Sequence, residues 1–364
     1  MRVLVVMSKF VAGGAETTAL RLIDALQDDG YEFVAAAVKG GGELAGPLGQ
    51  TGAVVYDSLA KFKHDPLGPW RLARIIRRHK IDVIVCVTAP RDALFYSTLA
   101  PILACRCIPT ICWCHSRPEG QSGNFAPRLT RYRKLGLLQA VVCITGLQRR
   151  LLVARGLPRR HVPLIRNGID PARFVGVGPA DLGVPSGVKT IVQIANIMPD
   201  KDFDTLIAAA GRLKSKRDDF RLVLVGRDTD SAELAAKISA ANLGDAIITA
   251  GHRDDIPAVL AATDVFVLST KGEVSSIAVL EAFASDTPVI VSDIPAFDEM
   301  LIDGQEGLRA AAGDCQGLAD AIEKLLDDET LASQLTTNAR QRLKQYELST
   351  MAQRFDRLLR SIVH

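Results

Sequence analysis

The sequence predicts two doubly wound α/β domains in tandem. Short apolar runs alternate with helical patterns along all 364 residues. That length exceeds what one hydrophobic core usually serves. The alternation also pauses once, over residues 174–187, where Gly, Pro and Ser show no clear period, and then starts again.

In the first half the expected strands are 3–7, 33–38, 54–56, 83–87, 110–114, 141–144 and 162–165. Helical patterns fill the gaps at 17–27, 69–79, 92–103 and 147–154. The apolar runs are continuous rather than alternating, which suits parallel strands covered on both faces. After the pause come strands 190–195, 222–225, 246–249, 265–268 and 289–291, again with helices between, and an amphipathic helix over 351–362. The domains are therefore drawn at 1–175 and 176–345, with a terminal helical segment at 346–364.

Hydrophobic residues make up 48% of the chain and aromatics only 5%, so the cores should be aliphatic. No apolar run reaches the roughly 18–20 residues of a membrane span. The first eight residues are too short for a signal sequence and lead into a Gly-rich turn, so a cytoplasmic protein is expected.

Charge is unevenly spread. Residues 1–180 hold 25 Lys+Arg against 12 Asp+Glu, a net of +13, although the whole chain carries only +3. Either the first half meets something anionic or the two halves attract each other. Six of the seven cysteines also lie in the first half. The spacing of Cys105, Cys107, Cys112 and Cys114 lacks paired C-x-x-C hooks, and a buried strand explains the last two better than zinc does.

Four motifs carry candidate chemistry. Gly13-Gly14-Ala15-Glu16 follows a strand and opens a helix, which fits either a phosphate-facing loop or a plain strand-to-helix turn. It is not the dinucleotide fingerprint G-x-G-x-x-G. Asn167-Gly168 reads as a structural turn with positive φ. Lys201, with Asn196 at the mouth of a strand, is either a phosphate-binding point charge or a solvated lysine.

The fourth motif runs from Glu273 to Glu281. The apolar spacing of Ile277, Leu280 and Ala284 predicts a helix from about Ser275, whose free N–H groups at Ser275, Ser276 and Ile277 would face a phosphate. Helical throughout, the two glutamates would stand on the order of 12 Å apart. That spacing suits one ligand with a sugar at one end and a ribose at the other, since carboxylates accept from hydroxyl pairs.

These motifs, in this order, resemble the retaining glycosyltransferases of family 4, which have the GT-B fold of two Rossmann-like domains. The resemblance spans nearly the whole chain. It covers Gly13-Gly14-Ala15-Glu16, Asn167-Gly168-Ile169-Asp170, Pro199-Asp200-Lys201, Val225-Gly226, Gly251-His252, the glutamate pair, Ala282-Phe283-Ala284 and Thr287-Pro288-Val289-Ile290. It implies a nucleotide-diphosphate sugar as co-substrate, no cofactor, a glycan or lipid-linked acceptor, and surface polysaccharide or glycolipid assembly. Lys201 matches the lysine that holds the pyrophosphate, Glu273 the glutamate on the donor sugar, and Glu281 the one on the ribose. His115 matches a histidine near the sugar, so Lys201, Glu273 and His115 form the expected catalytic set. Gly14 would lie close to the phosphates, with Gly13 and Glu16 toward the acceptor. The C-terminal helix would cross back onto the first domain.

One departure concerns the residue after the strand preceding the lysine. The family usually has Arg there, and this chain has Asn196. Asn cannot replace a bidentate guanidinium clamp. Arg227, after the strand 222–225, is the substitute cation. Val274-Ser275 also stands where the family has Gly-Phe.

The resemblance implies retention; since no carboxylate can be named as a covalent nucleophile, the expected course is same-face attack, without a metal. Asp202-Phe203-Asp204 and Asp228-Thr229-Asp230 fit the D-x-D pattern of a metal-dependent enzyme, but two aspartates are few ligands for magnesium. The alternatives are a nucleotide-sugar epimerase of the same fold and a non-catalytic sugar-nucleotide-binding subunit. Arg128, Arg131, Arg133 and Lys134, followed by Arg149, Arg150, Arg155, Arg159 and Arg160, point to an anionic membrane surface or a lipid-diphosphate acceptor as partner, and to a peripheral position on the membrane's inner face. No nucleic-acid partner is expected.

Overall fold

The computed structural model describes residues 1–62, 65–88, 91–116 and 125–363. The chain packs as two units, Met1–Gly168 with Glu347–His364, and Ile169–Tyr346. The first boundary thus falls at Gly168–Ile169, before the expected 175.

The first unit holds strands β1 (Arg2–Met7), β2 (Glu32–Ala37), β3 (Val54–Tyr56), β4 (Val83–Val87), β5 (Thr110–Cys114) and β6 (Ala140–Cys143). Its helices are α1 (Gly14–Leu26), α2 (Ala45–Gln50), α3 (Gly68–His79), α4 (Arg91–Leu103), α5 (Ala126–Lys134) and α6 (Gly146–Ala154). The six strands form one parallel sheet in the order β3-β2-β1-β4-β5-β6. Every residue of β4 and β5 is buried, as two-sided cover demands. Helix α3 shows how the cover is built. Leu72, Ala73, Ile75 and Ile76 face the core, while Arg77 donates to the carbonyls of Leu103 and Ala104 at the end of α4.

The second unit holds β7 (Lys189–Ile194), β8 (Phe220–Val225), β9 (Ile247–Gly251), β10 (Val265–Leu268), β11 (Val289–Asp293) and β12 (Leu308–Ala311). Its helices are α7 (Phe203–Lys214), α8 (Ala232–Ala240), α9 (Ile256–Ala261), α10 (Ile277–Ala284), α11 (Cys315–Asp327) and α12 (Glu329–Leu343). Its sheet is also parallel and six-stranded, in the order β12-β11-β10-β7-β8-β9. Read from the first strand of each unit, the two orders are the same. The last helix, α13 (Leu348–Val363), packs within the first unit against α1. It buries Met351, Ala352, Phe355 and Leu359, and the Phe355 ring meets Trp113 edge-on at 4.4 Å between centroids.

Three expectations are corrected here. Residues 162–165 make one bridge, Cys143 to Leu164, and no strand, since Pro163 has no N–H to donate to a ladder. The strand expected at 246–249 runs Ile247–Gly251, because an irregularity in β8 at Leu224–Val225 brings Gly251 into register with Val225. Gly168 is not among the residues with positive φ. Its glycine character serves close approach instead, for a Cβ there would lie 2.7 Å from the Glu347 carbonyl oxygen and 2.8 Å from the Leu348 Cα.

The cysteine cluster is split as the strand reading implies. Cys112 and Cys114 are buried in β5 while Cys105 and Cys107 are exposed. Burial pushes the Cys114 thiol up to about 12, so it is an inert, protonated core group.

Candidate active site

In an open parallel sheet, ligands bind beyond the carboxyl ends of the strands where the strand order reverses. In the second unit that point lies between β7 and β10, neighbours in the sheet. The segments leaving these two strands carry Lys201 and Glu273. Their side chains meet, with Lys201 Nζ 2.5 Å from Glu273 Oε2. The other carboxylate oxygen, Oε1, accepts from the Val274 N–H at 2.9 Å. The two side chains are only 15% and 18% exposed, so the pair sits in a partly dry place where charge interactions exceed their surface values.

Buried hydrogen bonds hold the two segments together. Lys201 and Thr270 form an antiparallel bridge. The Thr270 hydroxyl donates to the Asp200 carbonyl at 2.7 Å, and the Lys271 N–H donates to the same oxygen at 2.8 Å. Behind them, the Thr270 N–H reaches Ser292 Oγ at 2.9 Å and the Ser269 N–H reaches Gln193 Oε1 at 2.8 Å. Thr270, Ser269, Ser292 and Gln193 are all buried. Sequence reading missed this group, although hydroxyl residues directly after an apolar strand were a visible signal.

Helix α10 follows Glu273. Its N-cap is Ser276, whose Oγ accepts from the Val279 N–H at 3.3 Å. The helix therefore starts at Ile277, two residues later than expected, so Ser275 lies outside it and Ser276 caps it. The N–H groups of Ile277 and Ala278, in the first turn, are the ones left without intrahelical acceptors. Ser275 turns its hydroxyl toward Met300 Sδ at 3.9 Å. Residues 273–276 are not helical, so the helical spacing anticipated between the glutamates does not apply. Glu281 lies within α10 and is 6% exposed.

Asn196 and Arg227 also meet, but through the backbone. Asn196 Oδ1 accepts from the Arg227 N–H at 2.9 Å, and the Ile197 N–H donates to the Arg227 carbonyl at 3.1 Å. Gly226 makes this possible. At φ +144° it presses against Ala195, where a Cβ would come within 2.2 Å of the carbonyl oxygen. The Asn196 acceptor oxygen is thus engaged in joining the loops after β7 and β8.

Both D-x-D aspartates of the first motif are engaged as well. Asp202 caps α7 by accepting from Thr205 and pairs with Lys271 at 3.1 Å. Burial raises its pKa, but the bonds from Thr205 and Lys271 outweigh this and hold it below the ordinary carboxylate range. Asp204 pairs with Lys237 at 2.9 Å. The second motif lies after β8, with Asp228 at φ +66°.

The remaining expected residues belong to the first unit. Gly13 is the N-cap of α1 in an extended conformation, Gly14 opens the helix, and Glu16 folds back so that a Cβ on Gly13 would lie 2.8 Å from its Oε2. His115 follows β5. Its ring lies tilted against Trp113 at 4.7 Å between centroids, and its Nε2 is buried without a hydrogen-bond partner among the described residues. Burial pulls its pKa down to about 3, so the imidazole is neutral at physiological pH.

Two parallel six-stranded sheets of this order, each flanked by helices, match the GT-B class of glycosyltransferase. The chain belongs to glycosyltransferase family 4. The Glycosyltransferase Family 4 model matches residues 12–173 and the Glycosyl transferases group 1 model residues 179–342. Among curated relatives, the lipopolysaccharide core biosynthesis glycosyltransferase LpsE of Rhizobium meliloti is 28% identical over 336 residues, 91% of either chain. The phosphatidyl-myo-inositol mannosyltransferase of Mycolicibacterium smegmatis is 25% identical over 383 residues, 97% of this chain and 91% of that one. The fold matches the crystal structure of Anabaena Alr3699/HepE in complex with UDP and glucose at a TM-score of 0.84, with 20% identity and 99% of each chain covered.

Proposed function

We propose that the protein transfers a sugar, with retention, from a nucleotide-diphosphate sugar to a glycan or lipid-linked acceptor in surface polysaccharide or glycolipid assembly. The observation that carries this reading is the half-buried pair of Lys201 and Glu273 at the reversal point of the second sheet, beside the start of α10. Lys201 and the N–H groups of Ile277 and Ala278 supply positive potential where the leaving diphosphate gains charge. Glu273 keeps the lysine in place before the donor arrives and then accepts from sugar hydroxyls. Glu281 takes the ribose hydroxyls.

The bond from the anomeric carbon to the diphosphate oxygen breaks, and the acceptor oxygen bonds to the same face of that carbon. The acceptor's hydroxyl proton passes to the departing diphosphate. The engagement of Asp202 with Thr205 and Lys271, and of Asp204 with Lys237, favours catalysis without a metal. Lipopolysaccharide core and phosphatidylinositol products in the relatives' names favour a lipid-linked acceptor and a peripheral position on the membrane's inner face.

Lys201→Ala and Glu273→Ala are each expected to reduce transfer at least a hundredfold, in line with loss of a preorganised electrostatic group, with unfolding curves still cooperative. Full activity in either variant overturns the assignment. EDTA should leave the rate unchanged.

A further inference from the structure

Five basic residues of the first unit, Arg131, Arg133, Lys134, Arg159 and Arg160, gather at one edge of its sheet near a single imidazole. Arg133, in the last turn of α5, places Nη2 2.6 Å from His161 Nε2, and Arg160 Nε lies 3.1 Å from the same atom. A guanidinium has no acceptor, so Nε2 must accept and the ring is the Nδ1–H tautomer. Its Nδ1 then donates to the Gln139 carbonyl at 3.1 Å, just before edge strand β6. Burial, and then the Arg133 charge, hold the His161 pKa below its ordinary value. Two segments 28 residues apart are thereby joined into one cationic surface, with Arg131, Lys134 and Arg159 exposed around it.

Among the described residues, no carboxylate pairs with Arg131, Arg133, Lys134, Arg159 or Arg160. The second unit treats its basic residues differently. Lys214 pairs with Asp245, Lys216 with Glu323, and Arg217 with both Asp219 and Asp327. The first cluster also leaves Arg133 Nε buried without a hydrogen-bond partner. Beside it, Leu135 is 60% exposed. Unneutralised guanidinia next to an exposed aliphatic side chain match the phosphate layer and upper acyl region of an anionic bilayer.

We infer that this edge, built on Arg133, Arg160 and His161 with Leu135 as its apolar foot, is the surface by which the protein docks on anionic lipid. The inference rests on the peripheral placement proposed above and is independent of the transfer chemistry.

Flotation of the full chain with vesicles of pure phosphatidylcholine, or with phosphatidylglycerol added, tests it. Wild type should float with the anionic vesicles only, and less as salt rises. R133Q/R160Q should lose on the order of twenty-fold in partition, about fivefold per charge, and R133K/R160K should restore most of it. The control K216Q/R217Q, in the charge-paired surface, should float like wild type. If R133Q/R160Q floats like wild type, or if Trp70→Ser, which removes an exposed ring on α3, alone abolishes binding, the surface is wrongly chosen. If wild type does not prefer anionic vesicles, the peripheral placement fails with it. Tighter binding to RNA than to vesicles at equal phosphate would also overturn the inference.

Discussion

The two sheets share one strand order, and past the ends of their first two strands they share one backbone device. In the second unit Gly226, just after β8, lies at φ +144° and presses on Ala195, just after β7. In the first unit Gly42, following β2, lies at φ +134° and presses on Phe10, following β1. A Cβ would stand 2.2 Å from the facing carbonyl oxygen in both. A side chain braces each joint. Glu43 Oε1 accepts from the Ala12 N–H at 2.8 Å, and Asn196 Oδ1 accepts from the Arg227 N–H at 2.9 Å. What differs is the chemistry laid over this joint. The second unit adds a charged pair held by the buried hydroxyl of Thr270. The first offers the glycines at α1 and a neutral imidazole. The shared joint sets the loop paths, while the half-buried pair of Lys201 and Glu273 is laid over it in the second unit.

The largest expected effect tests the shared joint. Gly226→Ala and Gly42→Ala each add a Cβ against main chain that cannot swing aside, at a φ that L side chains rarely adopt. Each should destabilise the protein by roughly 3 kcal/mol or more, measured by urea unfolding. A loss below about 0.5 kcal/mol, the usual range for a neutral surface change, at either position would mean the joint is not a common device.

Next comes Thr270, which separates the two regions. Thr270→Val removes the hydroxyl that donates to the Asp200 carbonyl at 2.7 Å, leaving that oxygen only the Lys271 N–H, and takes away the acceptor of the buried Gly272 N–H at 3.3 Å. The cost should be about 1–3 kcal/mol. If Thr270 positions Lys201, kcat should fall about tenfold or more, with donor KM changed less, and Thr270→Ser should restore it. Equal loss in the Ser and Val variants would reduce the residue to packing.

The contrast between what the sequence disclosed and what it hid follows the range of the interactions. Strands such as β4, β5 and β10 were legible because every residue in them is buried and all but Thr110 are apolar. Gly226 stood in a recognisable Val-Gly pair, whereas Gly42 was lost among Gly40, Gly41 and Gly42, whose different φ demands exist only in the folded loop. Lys201 and Glu273 were found by type and motif. Their support was not, because Thr270 and Asp200 are 70 positions apart and no local pattern links them. The start of α10 was misplaced because Ser275 and Ser276 are equally good caps by type, and only the bond to the Val279 N–H distinguishes them. Helix α5 was missed because its sequence, APRLTRYRK, offers little apolar face.

The neutrality of the first unit's imidazole gives a smaller effect, through pH. The folded pKa of His115 is lowered to about 3, below its ordinary value of 6.5. Between those values the unfolded chain binds the extra proton, so stability is complete above pH 6.5 and falls as pH drops toward 3. From pH 7 to pH 5 the loss should be about 1–2 kcal/mol. His115→Gln should remove that slope when urea unfolding is compared at the two values. If wild type and variant lose stability in parallel, the ring is charged or exposed, and the contrast between the Lys201–Glu273 pair and a neutral His115 fails.

The smallest effect is expected at Asn196, where joint and chemistry adjoin. Its Oδ1 is taken by the Arg227 N–H, so it braces the loops after β7 and β8. Asn196→Ala should therefore cost about 1 kcal/mol of stability, the value of one net hydrogen bond. Transfer should stay within about threefold of wild type, a change worth under 1 kcal/mol. Glu43→Ala, its counterpart in the first unit, should behave alike. A fall of a hundredfold in kcat for Asn196→Ala alone would put this residue against the reacting diphosphate. The brace would then have been recruited into the chemistry on one side only.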